Sequence, residues 1–260
     1  MPASILIHPG FHKTGTTTVQ KGLRANNRTL RRDLRIVLRP GMVALCEAAR
    51  GYSLDTTPLN LGLVTFEAAE LAQSWAADGR AVLLSSEDLC GHMPGRQGLK
   101  SYAAATALLR AITDSIAAVH PGVAIRVHFT TRAPAAWLRS CYVQHLRATR
   151  ITRTAMQYAR SHRRSADLTA IVAAVSETLP ECAVSHSRLE DCAHNRLGPL
   201  GAVLDAAGIG PDIQDRLRPV APANVAPPQA RLDHLLSLNR SDLSDDALRL
   251  AKSARGTAHT

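Results

Sequence analysis

Residues 8–18 read HPGFHKTGTTT. The apolar run SILIH at residues 4–8 leads into this stretch, and a segment with mixed polar and apolar periodicity follows from residue 16 to about residue 32. This order predicts a strand, a loop and then a helix. The first N–H groups of a helix have no partner within it, and the helix dipole adds partial positive charge there. The loop is therefore predicted to bind an anion such as a phosphate.

The side chains of the loop suit the same ligand. Gly15 lets the backbone approach a phosphate closely, the threonines at 16–18 offer hydroxyl donors, and Lys13 brings a formal charge. The spacing of Gly10 and Gly15 matches the triphosphate loop G-x-x-x-x-G-K-[ST], but the lysine precedes the second glycine instead of following it. This order disfavours a magnesium-dependent kinase. The simpler alternative is a helix cap with a lysine nearby.

A second phosphate-binding pattern follows the predicted strand at residues 123–130. In RAPAAWLRS, Arg132 stands at the strand end, Pro134 suits the first turn of a helix, and Ser140 lies two turns further on. The guanidinium is a planar fork of donors suited to phosphate, and Ser140 falls on roughly the same side. Alternatively, Arg132 is a surface residue and Ser140 bonds back to its own helix.

Together these two segments resemble the PAPS-dependent sulfotransferase family, in which PAPS is 3′-phosphoadenosine 5′-phosphosulfate. HKTGTTTVQ is similar to the 5′-phosphosulfate loop of its bacterial members, and RAPAAWLRS to its 3′-phosphate motif. The resemblance implies a P-loop-like α/β fold, PAPS as donor, no metal, and a Lys13 that stabilises the departing phosphate. RLED at 188–191 and Asn224 resemble C-terminal landmarks of the family more weakly. The implied donor contacts are Lys13, Thr14, Gly15, Thr16, Thr17, Thr18, Arg132 and Ser140.

Glu87 is the predicted base that deprotonates the acceptor. It follows the predicted strand AVLLS at 81–85, so it belongs at the same sheet edge as Lys13 and Arg132. Its alternative role is to begin a helix, where a carboxylate favours the dipole. His12 and His92 are the other candidates for the base. His8 and His12 are separated by Pro9 and Gly10, which exclude the helical turn that would aim both at a metal.

Strands predicted at residues 4–8, 81–85, 123–130 and 183–186 alternate with helical segments, which favours a parallel sheet with helices on both faces. We expect a single domain over residues 1–260, with short helices and loops at 40–78 as a possible cap and a frayed tail at 253–260. Two helical segments are expected at 137–164 and 168–178, and a further one at 230–252. The start of the chain does not read as a signal peptide, and no stretch has the length of a membrane span, so we expect a cytoplasmic protein.

The net charge is +10, which suits anionic partners. Aromatic residues make up 3% of the chain, which argues against base stacking and a nucleic-acid role. Basic residues concentrated between 147 and 164 either face solvent or form a groove for an acidic acceptor such as a glycan. The five cysteines have irregular spacing, without C-x-x-C pairs. The alternatives to a sulfotransferase are a nucleotide kinase and a non-catalytic protein that binds anionic polymers.

Overall fold

The computed structural model describes residues 1–75, 77–221 and 227–253. Within them, five strands form one sheet in the order β2-β3-β1-β4-β5, and every neighbouring pair is parallel. The strands are β1 (Ile5–His8), β2 (Leu34–Leu38), β3 (Ala81–Ser85), β4 (Ile125–Thr131) and β5 (Ala183–Arg188). The predicted α/β class with a parallel sheet flanked by helices is confirmed.

Alternating side chains of the strands serve two separate hydrophobic clusters. Ile5 and Ile7 of β1 point into one cluster, and Leu6 between them points into the other. Successive side chains of a strand face opposite sides of the sheet, so both faces are covered and the fold has three layers. The helices are α1 (Thr16–Ala25), α2 (Asn27–Leu30), α3 (Val43–Leu54), α4 (Pro58–Gln73), α5 (Ala105–Val119), α6 (Pro134–Ala148), α7 (Ala155–Ser161), α8 (Leu168–Thr178), α9 (Pro199–Ala206), α10 (Pro211–Gln214), α11 (Gln229–Arg240) and α12 (Asp245–Ser253).

The two hydrophobic clusters show which helices cover each face of the sheet. The smaller cluster contains buried residues of α1, α2 and α9, such as Val19, Leu30 and Leu204. The larger cluster contains buried residues of α3, α4, α5, α6, α8 and α11. No helix among the described residues is long and apolar enough to cross a membrane.

Strand β2 was not predicted. Its sequence LRIVL has Arg35 as the second residue and is followed at once by Arg39 and Pro40, so the apolar pattern is short and interrupted. The strand lies at the edge of the sheet and pairs only with β3. Pairing with β3, together with burial of Leu34 and Leu38 in the smaller cluster, stabilises a strand that the local sequence pattern does not predict.

Residues 40–78 form two helices of 12 and 16 residues, longer than the short helices expected. Leu45, Ala49, Val64 and Ala68 of these helices are buried in the larger cluster. Whether this pair acts as a cap over a ligand stays a prediction. The helical segment predicted at 230–252 is two helices, α11 and α12, because residues 241–244 break it. Asn224 and residues 254–260 lie outside the described residues, and Ser253 ends α12.

Candidate functional site

A cleft of about 1000 Å³ opens at the carboxyl edge of the sheet. Parallel strands end side by side there, and ligands of open α/β sheets bind at this edge. All the predicted donor and catalytic residues line the cleft except Thr14: Lys13, Gly15, Thr16, Thr17, Thr18, Glu87, Arg132 and Ser140. Residues 127 positions apart in the sequence thus meet in one concave site.

Thr14 is fully buried and turned away from the cleft. Its Oγ1 donates a hydrogen bond to the carbonyl oxygen of Phe11 at 2.7 Å, and its N–H approaches the same oxygen at 3.3 Å. The side chain therefore closes the turn of the loop, and the geometry gives it no direct contact with a ligand.

The loop at residues 8–18 is held in place by hydrogen bonds to neighbouring strands of the sheet and to α6. At the end of β1, the buried His8 ring bonds Ser85 Oγ of β3 at 2.9 Å and Thr130 Oγ1 of β4 at 3.1 Å. Trp137 of α6 donates its indole N–H to the carbonyl oxygen of His12 at 2.9 Å. Gly10 has a φ of 54°, and a Cβ there would lie 2.3 Å from Cγ2 of Thr16. Only glycine fits this close return of the chain onto α1.

The N-terminus of α1 presents free donors to the cleft. Gly15 takes a φ of 99° at the N-cap, and no side chain caps the helix. The N–H groups of Gly15, Thr16 and Thr17 form no hydrogen bond with the described residues, whereas that of Thr18 donates to Gly15 O at 2.9 Å. Unpartnered N–H groups at a helix start are suited to an anion.

Lys13 brings a cation to this site. Its Nζ donates to Oε1 of Gln144 at 3.3 Å and forms no ion pair with a carboxylate of the described residues. Burial lowers the pKa of the Lys13 ammonium, and the nearby Arg147 and Arg132 add to this effect. The backbone of Lys13 has a φ of 71°, which is uncommon for a residue with a side chain. The surrounding contacts hold this strained position, as is frequent at ligand sites.

Arg132 and Ser140 lie at the next strand end, as predicted. Arg132 follows β4 and donates from Nη1 to the carbonyl oxygen of Lys13 at 3.2 Å. The hydroxyl of Ser140, on α6, forms no hydrogen bond with the described residues, so the bond back to its own helix that was the alternative to phosphate binding is absent. Glu190 accepts the N–H of Ala133 at 3.0 Å and so fixes the start of α6. Of the RLED segment, Leu189 lines the cleft and Glu190 supports α6 from outside the lining.

Glu87 lines the cleft and also begins a short 3-10 turn, Glu87–Cys90, so both of its expected positions are realised. Its Oε2 accepts a hydrogen bond from Nε2 of Gln20 at 3.0 Å. Gln20 belongs to α1, so the helix that follows the loop also orients this carboxylate. The neighbouring Asp88 faces the cleft but is ion-paired to Arg39, whose Nε lies 2.7 Å from its Oδ2.

The geometry disfavours both histidine alternatives for the base. The backbone N–H of His12 donates to the hydroxyl of Tyr102, and the same hydroxyl forms a hydrogen bond with His12 Nδ1; both distances are 3.0 Å. The other ring nitrogen, Nε2, lies 3.8 Å from Oδ1 of Asp88. Burial, aided by the charge of Arg96, lowers the pKa of His12 to about 3. His92 is buried and does not line the cleft.

Several residues of the cleft were not predicted from the sequence. Gln144 could have been found, because it lies one helical turn beyond Ser140. Arg96 could not have been found from a local sequence pattern, and neither could Gln20, which does not line the cleft but hydrogen-bonds Glu87. The remaining unpredicted lining residues are Arg39, Arg50, Asp88, Met93, Cys192, Ala193, Asn195, Arg196, Leu197, Gly198, Pro199 and Val220.

No family model and no curated protein matches the sequence. Among solved structures, the chain is similar to a sulfotransferase from Alicyclobacillus acidocaldarius, with 14% sequence identity and a TM-score of 0.49. The alignment covers 96% of this chain and 99% of that one. In the described part of the chain, no group of three or more His, Cys, Asp or Glu side chains is arranged to hold a metal ion.

Proposed function

We propose that this protein transfers a sulfuryl group from PAPS to a hydroxyl or amine of an acceptor, with a carbohydrate or glycoconjugate as the acceptor class. The observation that carries the proposal is the pairing of two phosphate-suited groups in one cleft. Lys13 with the start of α1 forms one, Arg132 with Ser140 forms the other, and a hydrogen bond joins Arg132 to the Lys13 carbonyl. The PAPS-binding motifs that the sequence resembles fall on these same residues.

The described residues fit a nucleotide that carries both a 5′-phosphosulfate and a 3′-phosphate. The free N–H groups of Gly15, Thr16 and Thr17 and the ammonium of Lys13 would hold the 5′ end. The unengaged hydroxyl of Ser140 and the remaining donors of Arg132 would hold the 3′-phosphate. Thr14 supports the turn instead of binding the donor, which changes the role that the resemblance implied for it.

In this proposal the protein supplies positioning, one base and one cation. The Glu87 carboxylate accepts the acceptor proton as the acceptor oxygen or nitrogen bonds to sulfur. The bond from sulfur to the bridging oxygen of the donor breaks, and adenosine 3′,5′-bisphosphate leaves. Lys13 stabilises the charge that develops on the departing phosphate. The sulfuryl transfer would take place in the cytoplasm, where PAPS is available.

The decisive experiment is thermal unfolding with adenosine 3′,5′-bisphosphate and, separately, with ATP and magnesium. A ligand that binds only the folded state raises the melting temperature. We expect a rise with the bisphosphate, followed by transfer of radioactive sulfate from labelled PAPS to a panel of glycans. A rise with ATP and magnesium alone would overturn the proposal in favour of a kinase. No rise with either would favour a non-catalytic protein that binds anionic polymers.

A further inference from the structure

The order of the strands divides the cleft into two halves. Arg132 and Ser140 lie on the side of β4, and the Lys13 loop follows the central strand β1. Glu87 and Arg39 follow β3 and β2, on the opposite side of the loop. If the donor occupies the loop and the β4 half, as in the proposed function, the acceptor enters from the half that contains Glu87.

The chain segments that follow β2 and β3 carry three arginines that line the cleft, but two of them are already ion-paired with carboxylates. Arg39 is ion-paired with Asp88 and Glu47, and Arg50 donates to the same Glu47 at 3.1 Å. Arg96 differs from both. Its guanidinium forms no hydrogen bond or ion pair with the described residues, although it is half-buried and lines the cleft.

The surroundings of Arg96 do not compensate its charge. The charge of Arg96 acts on His12, His92 and His145. Burial, with Arg96 as the second cause, lowers the pKa of His12 to about 3 and that of His145 to about 4. These rings are therefore neutral at neutral pH. Arg96 thus places a cation that has no ion pair among the described residues next to the neutral ring of His12, on which the charges of Arg50 and Lys13 also act, and an anion interacts favourably with such positive charge.

Two backbone hydrogen bonds close the loop that carries Arg96. The N–H of Gly95 donates to Leu99 O at 2.8 Å, and the N–H of Leu99 donates to Arg96 O at 2.9 Å. Gly95, Gln97 and Gly98 all have positive φ angles, of 90°, 47° and 81°. A Cβ on Gly95 would lie 2.5 Å from Cε1 of His145, so the loop packs directly on α6. His145 Nδ1 is in turn bonded to the Tyr158 hydroxyl of α7 at 2.9 Å.

The basic residues at 147–164 do not supply this cation. None of them lines the cleft. Arg150 is bonded to Ser241 O and Asp245 and so ties the α6–α7 connection to the C-terminal helices, and Arg153 donates to Ser161. If the protein binds an acidic acceptor in the cleft, the cation that contacts it would come from the loop at 93–99 and not from the basic residues at 147–164.

We propose that Arg96 is a specificity-determining residue that binds an anionic group, a carboxylate or a sulfate ester, on the acceptor. This inference rests on the proposed function for the direction from which the acceptor enters. It narrows the substrate class to acidic glycans that present the anion near the reacting hydroxyl or amine.

The test compares acceptors that differ only in the anion. The probes are an oligosaccharide of alternating N-acetylglucosamine and glucuronic acid, its carboxyl-reduced counterpart, and the reduced form with one added sulfate ester. We expect the wild-type protein to prefer the charged forms. Arg96→Ala should lower kcat/KM for them by about 10- to 100-fold, the range of a lost hydrogen bond to a charged group, with little change for the neutral form. The two charged probes distinguish a carboxylate from a sulfate acceptor.

Two variants control this comparison. Arg96→Lys keeps the charge without the fork of donors and should retain part of the preference. Arg28→Ala removes an exposed arginine of α2 outside the cleft and should have no effect. Melting temperatures of all variants, with and without adenosine 3′,5′-bisphosphate, show whether the fold and the donor site are intact.

Direct binding of the same oligosaccharides, measured by calorimetry with the bisphosphate present, separates this inference from the proposed function. Charge-dependent binding that Arg96→Ala abolishes would support the role of Arg96 even if no sulfate were transferred. The role of Arg96 would be overturned if Arg96→Ala lowered kcat/KM equally for charged and neutral acceptors, or if the wild-type protein used both with equal kcat/KM. It would also be overturned if the wild-type protein bound neither charged form. A weaker affinity of Arg96→Ala for the bisphosphate would also overturn it, because Arg96 would then belong to the donor site.

Discussion

Arg132 donates a hydrogen bond from Nη1 to the main-chain carbonyl oxygen of Lys13 at 3.2 Å. The side chain of Arg132, after β4, thus supports the loop that contains Lys13, after β1. The proposed 5′- and 3′-phosphate sites are therefore joined by a direct hydrogen bond. A change at Arg132 should therefore affect the loop as well as the 3′-phosphate contact.

We expect Arg132→Ala to abolish the rise in melting temperature caused by adenosine 3′,5′-bisphosphate, because it removes a phosphate contact and the brace on Lys13. Loss of a charge-assisted pair corresponds to an affinity weakened by about 10- to 100-fold. Calorimetric titration measures it. Arg28→Ala is the control, and an Arg132→Ala protein that binds the nucleotide normally would contradict the assignment.

Lys13→Ala should reduce kcat of sulfuryl transfer by about 100- to 1000-fold, as when a donor to a developing charge is removed. Its ammonium has no carboxylate partner among the described residues that would be left unpaired, so the melting temperature of the free protein should change little. Steady-state kinetics with saturating acceptor is the measurement. Lys21→Ala, which removes an exposed lysine of α1, is the matched control. A fully active Lys13→Ala protein would exclude Lys13 from the reaction.

Glu87→Gln should lower kcat by about 100-fold or more without weakening the binding of adenosine 3′,5′-bisphosphate, because it removes only the proton acceptor. Asp88→Asn tests the neighbouring carboxylate, which is ion-paired to Arg39, and should retain more activity. Gln20→Ala should show a smaller loss, since it frees the Glu87 side chain without removing it. If Asp88→Asn is the more damaging change, Asp88 is the base.

Gly15→Ala should destabilise the protein by about 1–3 kcal/mol, the cost of a residue held in a sparsely populated backbone region. Gly15 has a φ of 99°, and an added Cβ would lie 2.9 Å from Cδ1 of Leu189. Gly79→Ala is the matched control, because Gly79 also has a positive φ but has no atom within 4 Å of the added Cβ. Urea unfolding of both variants separates backbone strain from the Leu189 contact. Equal losses would mean that this contact costs nothing.

Stability should fall as the pH drops below about 6.5, the ordinary pKa of histidine. Burial lowers the pKa of His8 to about 3 and that of His128 to about 4, so the folded state keeps these rings neutral while the unfolded chain binds protons. The contribution of each ring is complete above pH 6.5 and is lost as the pH falls toward its folded-state pKa, at about 1.4 kcal/mol per pH unit.

Urea unfolding at pH 7.5 and pH 5.0 measures this effect, and His8→Asn should reduce the difference between the two values. His8 bonds Ser85 and Thr130, so this variant is expected to be less stable at both values. The informative quantity is therefore the difference in the free energy of unfolding between pH 7.5 and pH 5.0, compared between the variant and the wild type. A free energy of unfolding that does not change with pH in the wild type would contradict the neutral burial of these histidines.

The sequence alone determined the features that depend on local pattern. The run SILIH followed by a glycine-containing loop indicates a strand and a helix start, and the periodicities of 2 and 3.6 residues locate four of the five strands. Because parallel strands end at one edge, the same pattern brings Lys13, Glu87 and Arg132 into one cleft. Those predictions needed no knowledge of side-chain packing.

The tertiary structure decided what depends on contacts between distant residues. Strand β2 exists because β3 pairs with it and the smaller cluster buries it, and Thr14 faces inward because the turn needs its hydroxyl. The bond from Gln20 to Glu87 spans 67 positions, and the unpaired state of Arg96 depends on which carboxylates Arg39 and Arg50 occupy. Local sequence sets backbone conformation, but the partner of a charged or polar side chain is set by the packing of the whole chain. For this reason the sequence predicts that Lys13, Glu87 and Arg132 meet in one cleft, whereas the partners of Gln20 and Arg39 follow only from the tertiary structure.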